Sequence, residues 1–211
     1  MMTQSFDREF FSTPSWVTRR LLDCVNPAEP MRRVTPHSNG DTLGYRKTEQ
    51  RWLEPCCGDG AISRVLADAI KQKPVLVELV SIDIHKSDSF SHRVADFFDL
   101  AAWHDNGTFD FCVMNPPFSQ SLEFIDVALK IARVVAALLP LDHLGSIKRC
   151  DRWAKRIPDV YVLPERPSFV ESGKDYKSSF AWFVWPMWIR SRAVGSLTYL
   201  AKTPIEERRE G

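Results

Sequence analysis

Apolar positions along the chain alternate between short runs that suit buried strands and longer segments with helical spacing. The strand-like runs cover residues 51–54, 75–84, 94–98, 109–114, 134–139, 160–163 and 180–185. Apolar residues recur every three or four positions at 61–70 and 122–132, which predicts two amphipathic helices. This regular alternation of strands and helices favours a single doubly wound, mostly parallel α/β sheet.

Helix-start and loop signals predict the rest of the organisation. Thr13-Pro14 predicts a helix start, with threonine as N-cap and proline in the first turn, and the helix is expected to run through Leu22. Residues 27–48 are polar and broken by prolines and glycines, which is typical of a mobile loop. A basic helix is predicted at 143–156, and residues 187–211 are expected to form a C-terminal extension. The 211 residues predict one domain (1–211), with no separate target-recognition domain.

Composition and charge exclude several classes of protein. The net charge of +1 gives no global attraction to nucleic acid or membrane, so such a surface has to be a local patch. The five cysteines form no CxxC pair and have no histidine at ligand spacing, so no metal site is expected. The first residues contain no continuous apolar run, so no leader is expected, and no apolar stretch reaches the roughly 20 residues of a membrane span. A cytoplasmic protein with reduced thiols is expected.

The sequence Asn115-Pro116-Pro117-Phe118 directly follows the run at 109–114. The two prolines fix their own φ angles and hold Asn115 in an extended conformation. The resulting corner presents the Asn115 side-chain oxygen and the Asn115 and Pro116 carbonyls as acceptors, beside an aromatic ring. This combination suits a planar group with an exposed amino donor, such as a nucleobase. The alternative is an ordinary strand-terminating turn, which Asn-Pro also favours.

A second motif lies in the turn between the first strand and the helix at 61–70. Gly58 and Gly60 allow a sharp turn close to a ligand, although Ser63 replaces the third glycine of a dinucleotide fingerprint. Asp83 ends the next strand, where a carboxylate can bind both ribose hydroxyls of a nucleoside cofactor. Glu54 makes the loop acidic, which suits a sulfonium cofactor better than a pyrophosphate. A glycine turn with a solvated acid is the alternative.

A third motif, Asp96-Phe97, follows the third predicted strand. A carboxylate there can bind an adenine amino group, and the ring can pack on the adenine face. The alternative is a surface acid beside a core phenylalanine. Ligands of open parallel sheets lie outside the carboxyl ends of the strands, so both residues are expected at the same edge as Glu54, Asp83 and Asn115.

Together these motifs resemble those of class I S-adenosylmethionine-dependent methyltransferases, and most of all DNA adenine N-6 methyltransferases. The resemblance covers most of residues 10–186. Asn115–Phe118 is similar to the family's catalytic (D/N/S)PP(Y/F/W) signature. The order of N-terminal segment 11–14, cofactor loop and catalytic motif is similar to the gamma arrangement. The implied fold is the Rossmann-like class I methyltransferase fold.

The resemblance also implies roles for individual residues. The implied catalytic residues are Asn115, Pro116, Pro117 and Phe118. The implied S-adenosylmethionine-binding residues are Thr13, Pro14, Glu54, Pro55, Gly58, Gly60, Asp83, Asp96 and Phe97. The Glu-Pro-Cys-Cys opening of the loop departs from the commoner Asp/Glu-x-Gly-x-Gly pattern.

The implied activity is methyl transfer to the exocyclic amino nitrogen of adenine in DNA, with the base flipped out of the duplex. Low or short sequence specificity is expected, because the chain has no room for a recognition domain. RNA adenine and protein glutamine are alternative substrates, and a non-catalytic binding protein is a further alternative. Lys148, Arg149 and Arg152 are candidate phosphate contacts, with a solvated basic helix as the alternative.

Overall fold

A computed structural model of the protein describes residues 11–25, 49–99, 109–145, 149, 156–167, 178–186 and 195–208. Eight strands lie within these residues: β1 (Glu49–Glu54), β2 (Leu76–Asp83), β3 (Arg93–Val94), β4 (Phe109–Met114), β5 (Ala132–Pro140), β6 (Asp159–Val162), β7 (Phe180–Pro186) and β8 (Leu197–Tyr199). Four helices accompany them: α1 (Ser15–Cys24), α2 (Ala61–Lys71), α3 (Ser121–Ile131) and α4 (Ile205–Arg208). Single turns of 3-10 helix lie at Phe118–Gln120 and Leu141–Leu144.

The eight strands form one mixed sheet in the order β3-β2-β1-β4-β5-β7-β6-β8. β1 pairs in parallel with β2 and β4, and β4 pairs in parallel with β5. β7 is antiparallel to both of its neighbours, β5 and β6. The strand order reverses between β1 and β4, and such a reversal opens a crevice at the carboxyl ends of the strands. The predicted mostly parallel sheet is confirmed.

Helices cover both faces of the sheet, as a doubly wound fold requires. Side chains alternate along each strand, so neighbouring residues join opposite apolar clusters. Trp52 packs in one cluster with α1 and α2, whereas Leu53 packs in the other with α3. Trp182 and Phe183 divide in the same way on β7. The core therefore lies in two layers, and the sheet between them carries the strand ends that build the site.

One helix begins, and one strand ends, at a different residue from the one predicted. Pro14 has an extended ψ of 138° and acts as the cap residue, so α1 begins at Ser15 rather than at proline. The third strand ends at Val94, and residues 96–98 form a turn instead of continuing it. The Asp96 side chain explains this end, because its Oδ1 accepts the Phe98 N–H at 2.8 Å and competes with strand pairing.

The region predicted as a C-terminal extension contains a strand and a helix. β8 pairs in parallel with β6 at the edge of the sheet, with Leu197 opposite Val160. All three β8 residues are exposed, so no alternating pattern marks the strand in the sequence. The residue at position 195, just before β8, is glycine because a Cβ there would lie 2.1 Å from the Pro158 carbonyl oxygen.

Two predicted elements lie wholly or largely outside the described residues. The loop at 27–48 is one, and most of the basic helix at 143–156 is the other. The part of that helix which is described begins as the 3-10 turn Leu141–Leu144. Within the described ranges, no helix combines the length and apolar character needed to cross a membrane.

Candidate active site

The carboxyl ends of β1, β2 and β4 meet at one edge of the sheet. Glu54 at the end of β1 lies opposite Ser81 on β2, and Leu53 lies opposite Cys112 on β4. The Cys57 N–H extends this contact by donating to the Ile82 carbonyl at 2.9 Å. The fold therefore brings the predicted cofactor loop, the end of β2 and the Asn-Pro-Pro-Phe corner to the point where the strand order reverses.

Asp83 organises the loop that follows β1. Its Oδ2 accepts the Gly58 N–H at 2.9 Å, and its Oδ1 accepts the His85 N–H at the same distance. Gly58 adopts a φ of 51°, which favours glycine. Each carboxylate oxygen retains a second lone pair, so the side chain can still accept hydroxyl donors from a ligand. Asp83 thus fixes the loop and remains a candidate ribose-binding residue.

Gly60 is required by a protein contact as well as by its backbone. Its φ is 83°, and a Cβ at this position would lie 2.2 Å from the Phe90 ring. The Phe90 ring in turn lies under the Arg64 guanidinium, 5.4 Å from the ring centroid. The glycine predicted to approach a ligand therefore also makes room for the loop after β2.

Glu54 is buried, with 1% of its surface exposed. Its Oε2 accepts a hydrogen bond from the Ser63 hydroxyl, which also lies 2.5 Å from the Ser81 hydroxyl. Burial raises the pKa of Glu54 to about 8, while the Ser63 hydrogen bonds lower it and the charges of Asp59 and Asp83 raise it further. The expected cofactor contact at the mouth of the loop does not fit this position. The side chain instead links β1, α2 and β2 beneath the loop.

The buried Glu54 predicts an unusual pH dependence of stability. The folded protein holds this proton up to a pKa of about 8, whereas the ordinary value is 4.5. The stability that the bound proton contributes is therefore complete at pH values below 4.5, and it is lost as the pH rises toward 8. We expect the wild-type free energy of unfolding to fall across this window by an amount on the order of a few kcal/mol. Glu54→Gln, which has no proton to lose, should show a flatter profile in urea titrations from pH 4.5 to 9.

The control is Glu206→Gln, because Glu206 is an exposed acid on α4. This variant should keep the wild-type slope. Equal slopes in the wild type and in Glu54→Gln would show that Glu54 does not hold its proton in the folded state.

The Asn115 side chain is held by residues that precede α1. Its Nδ2 donates to the Thr13 hydroxyl at 3.0 Å and to the Phe11 carbonyl at 3.3 Å. Its Oδ1 is buried and makes no hydrogen bond within the described part of the chain. The Cys56 thiol donates to the Asn115 backbone carbonyl at 3.6 Å, which ties the corner to the cofactor loop. The corner therefore presents a fixed side-chain oxygen as an acceptor.

Phe118 packs in an aromatic group beside this corner. The Phe11 ring stacks on it, with centroids 5.4 Å apart and planes 18° apart. Phe180 lies 5.8 Å away at a tilt, and His143 meets the ring edge-on at 6.5 Å. Pro116, within the corner, is buried. One face of Phe118 is thus covered by a residue of segment 11–14.

His143 contacts Phe118 edge-on and is linked to it through Ser121, and its imidazole is neutral. The Ser121 hydroxyl donates to the Phe118 carbonyl at 3.0 Å and lies 3.0 Å from His143 Nε2. A hydroxyl has one hydrogen, so Nε2 carries the proton in this contact. Burial lowers the pKa of His143 to about 4, and the Arg149 charge lowers it further while Asp142 opposes the change. The imidazole is therefore a fixed, uncharged support.

The Asp96-Phe97 pair separates into an exposed acid and a core ring. The Asp96 side chain is exposed near the sheet edge, where its carboxylate can meet a ligand. Phe97 is 1% exposed and stacks on Phe124 at 5.3 Å in the core, so it presents no open face. Phe98 is the exposed ring of this turn. The role proposed for Phe97 as an adenine-stacking ring does not fit its position.

Contacts at this edge also involve residues outside the predicted set of catalytic and binding residues. Ser12 donates from its hydroxyl to Asp59 Oδ2 at 2.8 Å, so segment 11–14 contacts the cofactor loop as well as Asn115. Phe11, Cys56 and His143 contact the Asn-Pro-Pro-Phe corner from three distant parts of the chain. Phe11 and Ser12 belong to the N-terminal segment 11–14 that the resemblance marks, whereas their individual contacts were not predicted. No local pattern marks His143, because its contact depends on the path of the chain after β5.

The predicted phosphate contacts are only partly described. Arg149 donates to the Asp142 carbonyl at 3.0 Å, whereas Lys148 and Arg152 lie outside the described residues. Among the described side chains, no group of three or more histidine, cysteine, aspartate or glutamate residues is placed to hold a metal ion.

Comparisons with known proteins identify the fold. No protein-family model matches the sequence, and a search of curated proteins finds no significant match. A solved structure assigned as the modification subunit of a type I restriction enzyme from Vibrio vulnificus YJ016 aligns over 95% of this chain and 49% of its own, with 13% identity and a TM-score of 0.59.

Two further structures align less closely. One, assigned as an RNA methyltransferase from Pyrococcus horikoshii, covers 69% of this chain and 75% of its own, with 13% identity and a TM-score of 0.48. The other, assigned as a class I S-adenosylmethionine-dependent methyltransferase from Listeria monocytogenes, covers 74% and 60%, with 10% identity and a TM-score of 0.47.

At 13% identity, the likeness to the Vibrio subunit shows the fold. The chain spans about half the length of that subunit, with 49% of it covered. The predicted Rossmann-like, doubly wound fold is therefore confirmed.

Proposed function

We propose that this protein transfers a methyl group from S-adenosylmethionine to the exocyclic amino nitrogen of adenine in DNA, with low or short sequence specificity. One observation carries the proposal. The Asn115 Oδ1 atom is buried, has no hydrogen-bond partner among the described residues and lies just beyond β4, where the strand order reverses. A buried acceptor without a partner costs about 1–3 kcal/mol, and an incoming amino donor removes that cost.

The donor set at the sheet edge fits a nucleoside cofactor with an amino-acid end. Asp83 and Asp96 are carboxylates at consecutive strand ends, and carboxylates suit ribose hydroxyls and the adenine amino group. Gly58 and Gly60 adopt the positive φ angles that the turn requires. Pro14 and Pro55 flank the same edge and complete the proposed binding residues, while the Thr13 hydroxyl beside them contacts Asn115. When bound, S-adenosylmethionine supplies an electrophilic methyl group.

The protein's part in the reaction is to hold and orient the target nitrogen. The Asn115 oxygen and the Pro116 carbonyl accept the two amino hydrogens, which draws the nitrogen lone pair out of conjugation with the ring. Pro117 keeps the corner rigid, because its φ is fixed. Positioning of this kind lowers the barrier by removing the entropy cost of bringing the groups together. No metal ion takes part in this proposal.

Phe118 is the proposed stacking surface for the flipped base. Stacking of a base on an aromatic ring is worth roughly 1–3 kcal/mol, which helps to hold it outside the duplex. In this structure the Phe11 ring occupies a stacked position on Phe118. The base takes the place of the Phe11 ring on that face, so the Phe11 side chain turns aside when the target enters. The Phe11 carbonyl and Thr13 keep their hydrogen bonds with Asn115.

DNA is the proposed polymer because the Asn-Pro-Pro-Phe motif and the motif order resemble DNA adenine enzymes most. Lys148, Arg149 and Arg152 are the proposed phosphate contacts, which position the duplex without reading its sequence. RNA adenine and protein glutamine carry a similar planar amino group, so they are the alternative substrates that the experiment below has to distinguish.

The test offers all three polymers to the purified protein. Unmethylated DNA, RNA and protein are incubated separately with S-adenosylmethionine that carries a deuterated methyl group. Each polymer is digested to monomers and examined by mass spectrometry. Label on deoxyadenosine supports the proposal. Label on adenosine or glutamine would show that RNA or protein is the substrate. If the cofactor binds but no polymer carries label, the proposed activity is ruled out.

Asp83 provides a prediction about cofactor binding. Asp83→Asn keeps one acceptor oxygen but turns an amino group toward one of the two backbone N–H groups at Gly58 and His85. The variant also loses the charged carboxylate that is proposed to bind the ribose hydroxyls. Loss of a hydrogen bond to a charged group costs about 1.5–3 kcal/mol, so the affinity for S-adenosylmethionine should fall roughly 10- to 100-fold by calorimetry. Asp88→Asn, which changes an exposed acid in the following loop, should bind as the wild type does. Equal affinities for both variants would exclude Asp83 from the cofactor site.

A further inference from the structure

Segment 11–14 contacts the proposed catalytic corner through a buried hydroxyl. Thr13 is 4% exposed, and its Oγ1 accepts one hydrogen of the Asn115 amide at 3.0 Å. The Phe11 carbonyl accepts a hydrogen of the same amide at 3.3 Å. The nitrogen of the amide is thus engaged by protein acceptors, and the oxygen is left for a ligand.

The two acceptors also determine which way the amide faces. A carbonyl can only accept, so the group that faces Phe11 has to be the nitrogen. A half-turn of the amide would bring Asn115 Oδ1 against the Phe11 carbonyl oxygen, and two acceptors repel each other. It would also leave the amide nitrogen where the amino donor of the target has to bind.

We infer that Thr13 is a positioning residue for Asn115, holding its carboxamide so that Oδ1 points to the substrate. This inference rests on the proposed function and deepens it, because the motif resemblance assigns Thr13 to the cofactor. The same segment contacts the proposed cofactor loop, because the Ser12 hydroxyl donates to Asp59 at 2.8 Å, so one segment connects this loop with Asn115. The site accepts the target amino group only after segment 11–14 is in place.

The first test measures the amide itself and needs no activity. The chain has four asparagines, Asn26, Asn39, Asn106 and Asn115, so selective ¹⁵N labelling gives few side-chain signals. The Asn115 pair is assigned by its loss in Asn115→Asp. Its exchange with water should be slow in the wild type and about tenfold faster in Thr13→Val, since a net hydrogen bond is worth roughly a factor of ten or less. Thr13→Ser, which keeps the hydroxyl, should restore slow exchange.

The second test separates alignment of Asn115 from cofactor binding. At saturating S-adenosylmethionine, Thr13→Val should lower kcat roughly tenfold, with the cofactor Kd within about twofold of the wild type. Thr13→Ala is measured alongside, so the result does not depend on the folding of one variant. A weaker cofactor Kd with an unchanged kcat would overturn the inference and assign Thr13 to the cofactor. Unchanged amide exchange would overturn it as well.

The two tests keep the inference distinct from the proposed function. If the wild type methylates none of the polymers, the proposed function fails. Amide exchange in Thr13→Val then still decides whether Thr13 holds Asn115.

Discussion

Asn115→Ala is expected to reduce methyl transfer about 1,000-fold while leaving S-adenosylmethionine binding within a few-fold of the wild type. The change removes the Oδ1 acceptor and both donors to Thr13 and Phe11. Removing one preorganised polar group from a catalytic site typically costs a factor of about 100 to 1,000. The Asn115 backbone carbonyl and its hydrogen bond from Cys56 remain, so the proposed cofactor loop keeps its contact with the corner. Transfer is measured at saturating cofactor and DNA, and binding is measured by calorimetry.

Two further variants sharpen this result. Asn115→Asp keeps an acceptor oxygen but cannot donate to Phe11 and Thr13, so it should lie between the wild type and alanine. Glu123→Ala changes an exposed residue on the first turn of α3 and should transfer as the wild type does. If Asn115→Ala kept more than a tenth of the wild-type rate, the corner would not be the acceptor that the mechanism requires.

Trp182→Ala is expected to destabilise the protein by about 3–5 kcal/mol, the usual cost of deleting a buried aromatic ring. Trp182 is fully buried on β7, and its Nε1 donates to the Val17 carbonyl at 2.9 Å. The Val17 N–H in turn donates to the Pro14 carbonyl at 3.0 Å. Trp182 therefore anchors the start of α1, directly behind segment 11–14. In a chain of this size the melting temperature should fall by about 10 °C or more.

The matched changes distinguish lost packing from a lost hydrogen bond. Trp182→Phe keeps most of the ring but not the N–H, so it should cost less than alanine. Tyr199→Ala removes an aromatic side chain that is 73% exposed on β8, and it should change the melting temperature little. A melting temperature for Trp182→Ala within 2–3 °C of the wild type, roughly the effect of 1 kcal/mol, would contradict the anchoring role.

The sequence predicted the central strands well because their signal is local. The run at 109–114 coincides with β4, and Phe180–Trp185 falls one residue short of β7. Strands buried on both faces consist of continuous apolar residues, which are visible without any knowledge of their partners. β8 was not predicted, because its residues are exposed and only pairing with β6 makes them a strand.

In the candidate site as well, features with a local sequence signal could be predicted, and features that depend on distant contacts could not. Placing Asp83 and Asn115 at one edge required only the rule that parallel strands end together. The burial of Glu54 could not be predicted, since it depends on Ser63 and Ser81 meeting beneath the loop. Phe97 was expected beside a ligand, but its ring packs on Phe124 in a helix that lies far along the chain. Side-chain direction at a strand end depends on such distant contacts.

Hydrogen–deuterium exchange with and without S-adenosylmethionine tests most directly whether this sheet edge is the cofactor and target site. We expect the cofactor to slow exchange in four segments, 11–14, 54–60, 83–85 and 115–118, because each contributes a contact at the edge. The remaining strands serve as the internal reference, since their exchange should not change. Unchanged exchange in all four segments, at cofactor concentrations that saturate binding, would contradict the account.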